Sequence, residues 1–77
     1  MNFNPELDEE IFSTEKELGK TKLIVAVKKY NGGRAKVQIS RQNQQNSIWK
    51  FSKLGRLTKT ETEALIEMLK EAQEHME

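Results

Sequence analysis

Residues 22–41 read KLIVAVKKYNGGRAKVQISR, and this stretch decides the fold. Its first part is rich in β-branched residues. Its last part alternates strictly, with Val37 and Ile39 on one face and Lys36, Gln38 and Ser40 on the other. Between them stands Asn31-Gly32-Gly33, whose residues tolerate the positive φ of a tight turn. The spacing predicts a β-hairpin. Its core face carries Val25, Val27, Val37 and Ile39, in line with Leu23. Its other face carries Lys28, Tyr30, Lys36, Gln38 and Ser40, polar and basic around one aromatic.

Working outward, Ile11 and Phe12 open a short strand that runs toward Leu18, with a turn at Gly19-Lys20. Met1 to Glu10 reads as a mobile acidic lead-in, and residues 11–77 as one domain. On the other side, Gln42 to Ser47 is a polar connector without an apolar residue. IWKFSK, residues 48–53, reads as a further strand with Trp49 and Phe51 on one face. Leu54 to Leu57 is a turn. Thr58 with Glu61 forms a capping box at the start of a helix. Leu65, Met68, Leu69 and Ala72 then make one apolar stripe, and the helix frays near His75. Several strands followed by one helix give an α+β class.

The charges are sorted along the chain. Eleven of the 13 basic residues lie between Lys20 and Lys59, a stretch without one Asp or Glu. Each flank holds six acids and one Lys. A net charge of +1 thus conceals a strongly cationic middle. Like charges repel and cost stability, so a field of this kind points to a polyanionic partner.

Composition narrows the alternatives. A chain of 77 residues buries only roughly 60–65 % of its unfolded surface, so its core is marginal, and a second copy is one common remedy. No run approaches a membrane span, and the start has neither the basic head nor the apolar run of a signal peptide. With no cysteine and a single histidine, His75, no transition-metal cluster, catalytic site or cofactor is expected. The absence of cysteine agrees with an intracellular protein, in cytoplasm, nucleoid or nucleus. Asn31-Gly32-Gly33-Arg34 lacks the Gly-Lys-Ser/Thr ending of a phosphate loop and opens a strand, not a helix.

Binding suits the basic block better than catalysis. Lys and Arg neutralise phosphates and release counterions, while aromatics between them stack on unpaired bases. Tyr30, at the end of a basic strand, is the aromatic best placed for stacking. Trp49, the single tryptophan, suits a buried anchor first and a stacking platform second. The helix carries acids on its exposed side, which a duplex backbone would repel, so single strands are favoured over duplex. The acidic lead-in has the right sign to compete for the same groove.

From about Leu18 to Met68 the order of features resembles the single-stranded-DNA-binding domain of the transcriptional coactivator PC4 (p15) family. The matching pieces are Leu18-Gly19-Lys20, the run Val25 to Gly32, Val37-Gln38-Ile39-Ser40-Arg41, Lys53-Leu54-Gly55-Arg56-Leu57-Thr58, and the helix through Leu65 and Leu69. The resemblance implies a four-stranded antiparallel curved sheet followed by one C-terminal helix, assembled as a homodimer. It also implies sequence-nonspecific binding of single-stranded DNA, in transcription regulation or DNA maintenance, with no small-molecule substrate. By position, Tyr30 stands at the family's strand-end aromatic and Arg41 at a strand-end Arg that meets phosphate. Arg34 lies near a basic residue past the Gly turn, and Lys53 matches a Lys before the Gly that precedes the helix. Lys20 or Lys22 fills an early basic position. Lys28, Lys36, Lys50 and Arg56 complete the expected nucleic-acid surface. The chain departs from the family at Gln42 and Asn43, where aromatics often follow the Arg, and at Ala64-Leu65, where the family helix often has an aromatic. Two other readings remain beside this one: a module that docks an acidic protein partner, and a single-stranded RNA binder.

Overall fold

Four strands run in sequence before one long helix: β1 Asp8–Leu18, β2 Thr21–Tyr30, β3 Lys36–Gln45, β4 Ile48–Ser52 and α1 Lys59–Gln73. These elements come from a computed structural model that describes residues 4–76. A short 3-10 turn, Pro5–Leu7, leads into β1. The strands form one curved antiparallel sheet in the order β1-β2-β3-β4, so each chain neighbour is also a spatial neighbour.

The connections explain the meander. Asn31 and Gly32 hold φ of 50° and 73°, and the Gly33 N–H donates to the Tyr30 carbonyl at 2.9 Å. Two successive positive φ values give a turn whose twist matches that of the flanking strands. The β3–β4 turn is built the same way from Asn46 and Ser47, at φ 52° and 64°. The expected six-residue polar connector is therefore corrected: β3 continues through Gln45, and only Asn46-Ser47 turns. Its residues are polar because both faces of β3 are partly wet at that end, not because the chain is irregular there.

Register sorts the side chains. Val27 lies opposite Val37, Val25 opposite Ile39, and Leu23 opposite Arg41. Leu23, Val25 and Val27 are fully buried, each contributing roughly 1.5–3 kcal/mol. Ala64, Leu65, Met68 and Ala72 of α1 are buried too, and most of them close the core from below. Phe12, Leu18, Val37, Ile39, Leu54 and Leu57 fill in around it. The helix lies under β1 and β2, which leaves the underside of β4 open, and Ile48 there is 57 % exposed.

The start of α1 is as expected. The Glu61 N–H donates to Thr58 Oγ1 at 3.1 Å, and the Thr58 N–H donates to Glu61 Oε1 at 2.8 Å. At the other end, the exposed His75 ring stacks on Phe12, with centroids 4.0 Å apart. No helix among the described residues is long and apolar enough to cross a membrane.

The N-terminal boundary is earlier than expected. Asp8, Glu9 and Glu10 already belong to β1, and Asn4 to Leu7 is tied down. The Asn31 N–H donates to the Leu7 carbonyl at 2.7 Å, and the Asn4 N–H donates to the Tyr30 hydroxyl at 2.7 Å. Residues 1–3 of the expected lead-in lie outside the described residues.

Candidate nucleic-acid interface

The face of the sheet turned away from α1 is set by alternation and register. Lys22, Ile24, Ala26, Lys28 and Tyr30 of β2 point to it, beside Lys36, Gln38, Ser40, Gln42 and Gln44 of β3. Trp49 and Phe51 of β4 join them, since Trp49 pairs with Gln44 and Phe51 with Gln42. Phe51 is 73 % exposed and Trp49 is half-buried. Trp49 is thus no core anchor. Its ring sits under the Lys22 ammonium, 4.5 Å from Nζ to the ring centroid, a cation–π contact that holds the ring on the open face.

A β-bulge at Ile11 brings carboxylates to this same face. Glu10 pairs with Lys28 and Phe12 with Val27, so one extra residue stands between them. Without the bulge, Asp8, Glu10 and Phe12 would all point at the helix. With it, Phe12 enters the core while Asp8 and Glu10 move to the open side, in line with Ser13, Glu15 and Glu17. Lys28 Nζ lies 3.6 Å from Asp8 Oδ2, and Lys22 Nζ lies 3.9 Å from Glu15 Oε1. The sorting of charge along the chain does not carry over to the sheet, where acids and bases share one face. The acids of the lead-in and first strand form an acidic border along β1, and they partly neutralise β2.

The unneutralised cations lie further across. Arg34 and Lys36 are exposed and have no ion-pair partner among the described residues. Lys20 is exposed in the β1–β2 turn. Lys53 and Arg56 are exposed in the segment between β4 and α1. Lys50 is exposed as well, but it pairs with Asn43 and so faces the helix side. The expected binding residues do not form one stripe: Lys22, Lys28, Tyr30, Arg34 and Lys36 share the open face or its rim, whereas Lys50 does not.

Arg41 is the clearest departure. It faces the core side opposite Leu23 and is 8 % exposed. Its Nη1 donates to Glu61 Oε2 at 2.7 Å, its Nη2 to Glu61 Oε1 at 3.3 Å and the Arg56 carbonyl at 3.3 Å, and its Nε to the Leu54 carbonyl at 3.0 Å. A guanidinium so engaged has no fork left for a phosphate. Arg41 clamps the helix N-terminus and the incoming loop to β3, and its expected role on phosphate is replaced by a structural one. The same guanidinium, with the Thr58 backbone N–H behind it, holds the Glu61 carboxyl down to about 2 from an ordinary 4.5.

Tyr30 lies at the end of β2 as expected, half-buried, with its hydroxyl accepting from Asn4. The aromatics that stand clear on the sheet are Trp49 and Phe51. Their shared face was readable from IWKFS, but not which side of the sheet it would occupy. No group of His, Cys, Asp or Glu among the described residues could hold a metal ion. No protein-family model, curated protein or solved structure matches this chain.

Proposed function

We propose that this protein binds single-stranded nucleic acid, DNA ahead of RNA, with little sequence preference, on the helix-free face of its sheet. One observation supports this above the others. Two aromatics, Trp49 and Phe51, stand on an open sheet face next to amide side chains, Gln42 and Gln44, and next to cations. Every base has a π-face, so such rings accept any sequence, while Lys and Arg attract the backbone. The reading is narrower than the charge pattern alone suggested. The β1 side is acidic, so the strand is expected to run over β3 and β4. No catalytic step belongs to it, and an intracellular setting in transcription or DNA maintenance follows from the target.

The test compares oligo-dT, the same sequence as duplex, and oligo-U at two ionic strengths by fluorescence anisotropy. Tightest binding to oligo-dT, with affinity falling steeply as salt rises, is the expected result; absence of binding to any single strand at low salt ends the proposal. The outer edge of β4, with Ile48 and Phe51 exposed, favours a second copy or another protein there. A homodimer is part of the proposal, and light scattering on the same samples should give about twice the 9.0 kDa chain mass. A monomer that ignores oligonucleotides would leave docking of an acidic protein as the better account.

A further inference from the structure

We infer that the pocket at the β2–β3 end of the open face takes the terminal phosphomonoester of a single strand, so that the protein prefers phosphorylated ends. The inference rests on the proposed single-strand binding and names the part of the ligand that this corner recognises.

The pocket holds about 370 Å³ and is lined by Lys28, Arg34, Lys36, Tyr30, Gln38 and Asp8, among others. Lys28 and Lys36 are direct cross-strand partners. Like charges so placed repel unless an anion lies between them. Asp8 answers Lys28 alone, at 3.6 Å. Arg34 and Lys36 keep their full charge, so the lining carries a net of about two positive charges. A phosphomonoester near neutral pH carries about −1.5 to −2, whereas each internal phosphodiester carries a single charge. The pocket therefore matches an end better than a middle.

The surroundings also favour an end. On the β1 side the open face continues into Asp8, Glu10, Glu15 and Glu17, which repel a backbone that tries to pass. Beside Tyr30 the segment Asn4 to Leu7 is tied to the end of β2 through the Tyr30 hydroxyl and the Asn31 N–H. The open route leads the other way, along β3 toward Gln42, Gln44 and the two aromatics of β4. From Lys36 to Gln42 is about 20 Å of extended strand, room for several nucleotides between the phosphate corner and the stacking rings. Tyr30 and Gln38 line the same corner.

The test uses the whole chain and oligo-dT of one length in four forms: 5′-phosphate, 3′-phosphate, both ends hydroxyl, and circular. One of the two phosphorylated forms should bind about tenfold tighter than the hydroxyl form, the worth of one charge-assisted hydrogen bond. Arg34→Ala/Lys36→Ala removes two of the face's cations, so it should weaken all four forms at low salt, and it should bring the phosphorylated forms down to the affinity of hydroxyl oligo-dT, erasing the gap. Both residues are exposed, so the melting temperature should be unchanged. Equal affinity for phosphorylated, hydroxyl and circular forms overturns the inference and leaves single-strand binding standing. No binding of any form overturns both.

Discussion

Arg41→Ala lowers the unfolding free energy by about 3 kcal/mol at neutral pH, because it leaves the Glu61 carboxylate buried without its cation. For a domain of this size that is roughly 12–24 °C in Tm, and a large share of the total stability of a small protein. Below its melting range the variant should still hold oligo-dT as tightly as the parent chain. A folded Arg41→Ala that no longer binds single strands would return Arg41 to the phosphate role that sequence position suggested. Urea denaturation paired with anisotropy at low temperature separates the two outcomes.

The same pair sets an acid limb. Glu61 titrates at about 2 in the folded chain and near 4.5 in the unfolded one, so the unfolded state takes up the proton first. The stabilisation is complete above about pH 5 and drains away as pH falls through the folded value, an effect on the order of 3 kcal/mol. Glu61→Gln should therefore be much less stable than the parent at pH 7 and close to it near pH 2. A stability gap that stays constant across that window would show that the carboxylate charge contributes little.

Trp49→Ala/Phe51→Ala should weaken oligo-dT binding by about 2–5 kcal/mol, roughly thirtyfold to several thousandfold, if two bases stack on the rings. The salt dependence should keep its slope, because the rings carry no charge. Phe51 is 73 % exposed, so its removal costs the fold little. Trp49 is half-buried and meets the Lys22 ammonium, which keeps Glu15 at 3.9 Å when the ring is removed. The double variant thus loses stacking while keeping the charge of the face. Unchanged affinity would take the aromatics out of the interface and leave an electrostatic surface alone.

Much of the architecture was legible because the signals were local. Alternation in KLIVAVKKY and AKVQIS, the Asn31-Gly32-Gly33 turn and the Thr58–Glu61 capping box each act within a few residues, and each appears as expected. The β3–β4 turn was not legible, because Asn46-Ser47 adopts left-handed backbone without the glycine that usually marks it. Missing that turn hid the pairing of Gln44 with Trp49, and with it the side of the sheet on which Trp49 and Phe51 stand. The bulge at Ile11 had no mark in the sequence either, so the acids of residues 8–10 read as loose lead-in rather than as partners for Lys28.

The sequence by itself determined the element types, the core face of the hairpin and the segregation of charge along the chain. Only the tertiary structure decided which charges meet. Arg41 and Glu61 are 20 residues apart in the chain and 2.7 Å apart in space; alternation puts Arg41 in line with Val37 and Ile39, but nothing local names its partner. Periodicity and turn chemistry depend on neighbours along the backbone, whereas the ion pairs depend on strand register and on where the helix lies beneath the sheet. A single inserted residue in β1 reverses the facing of every side chain before it, and that is why the border between acidic and basic halves of the sheet could be seen only in three dimensions.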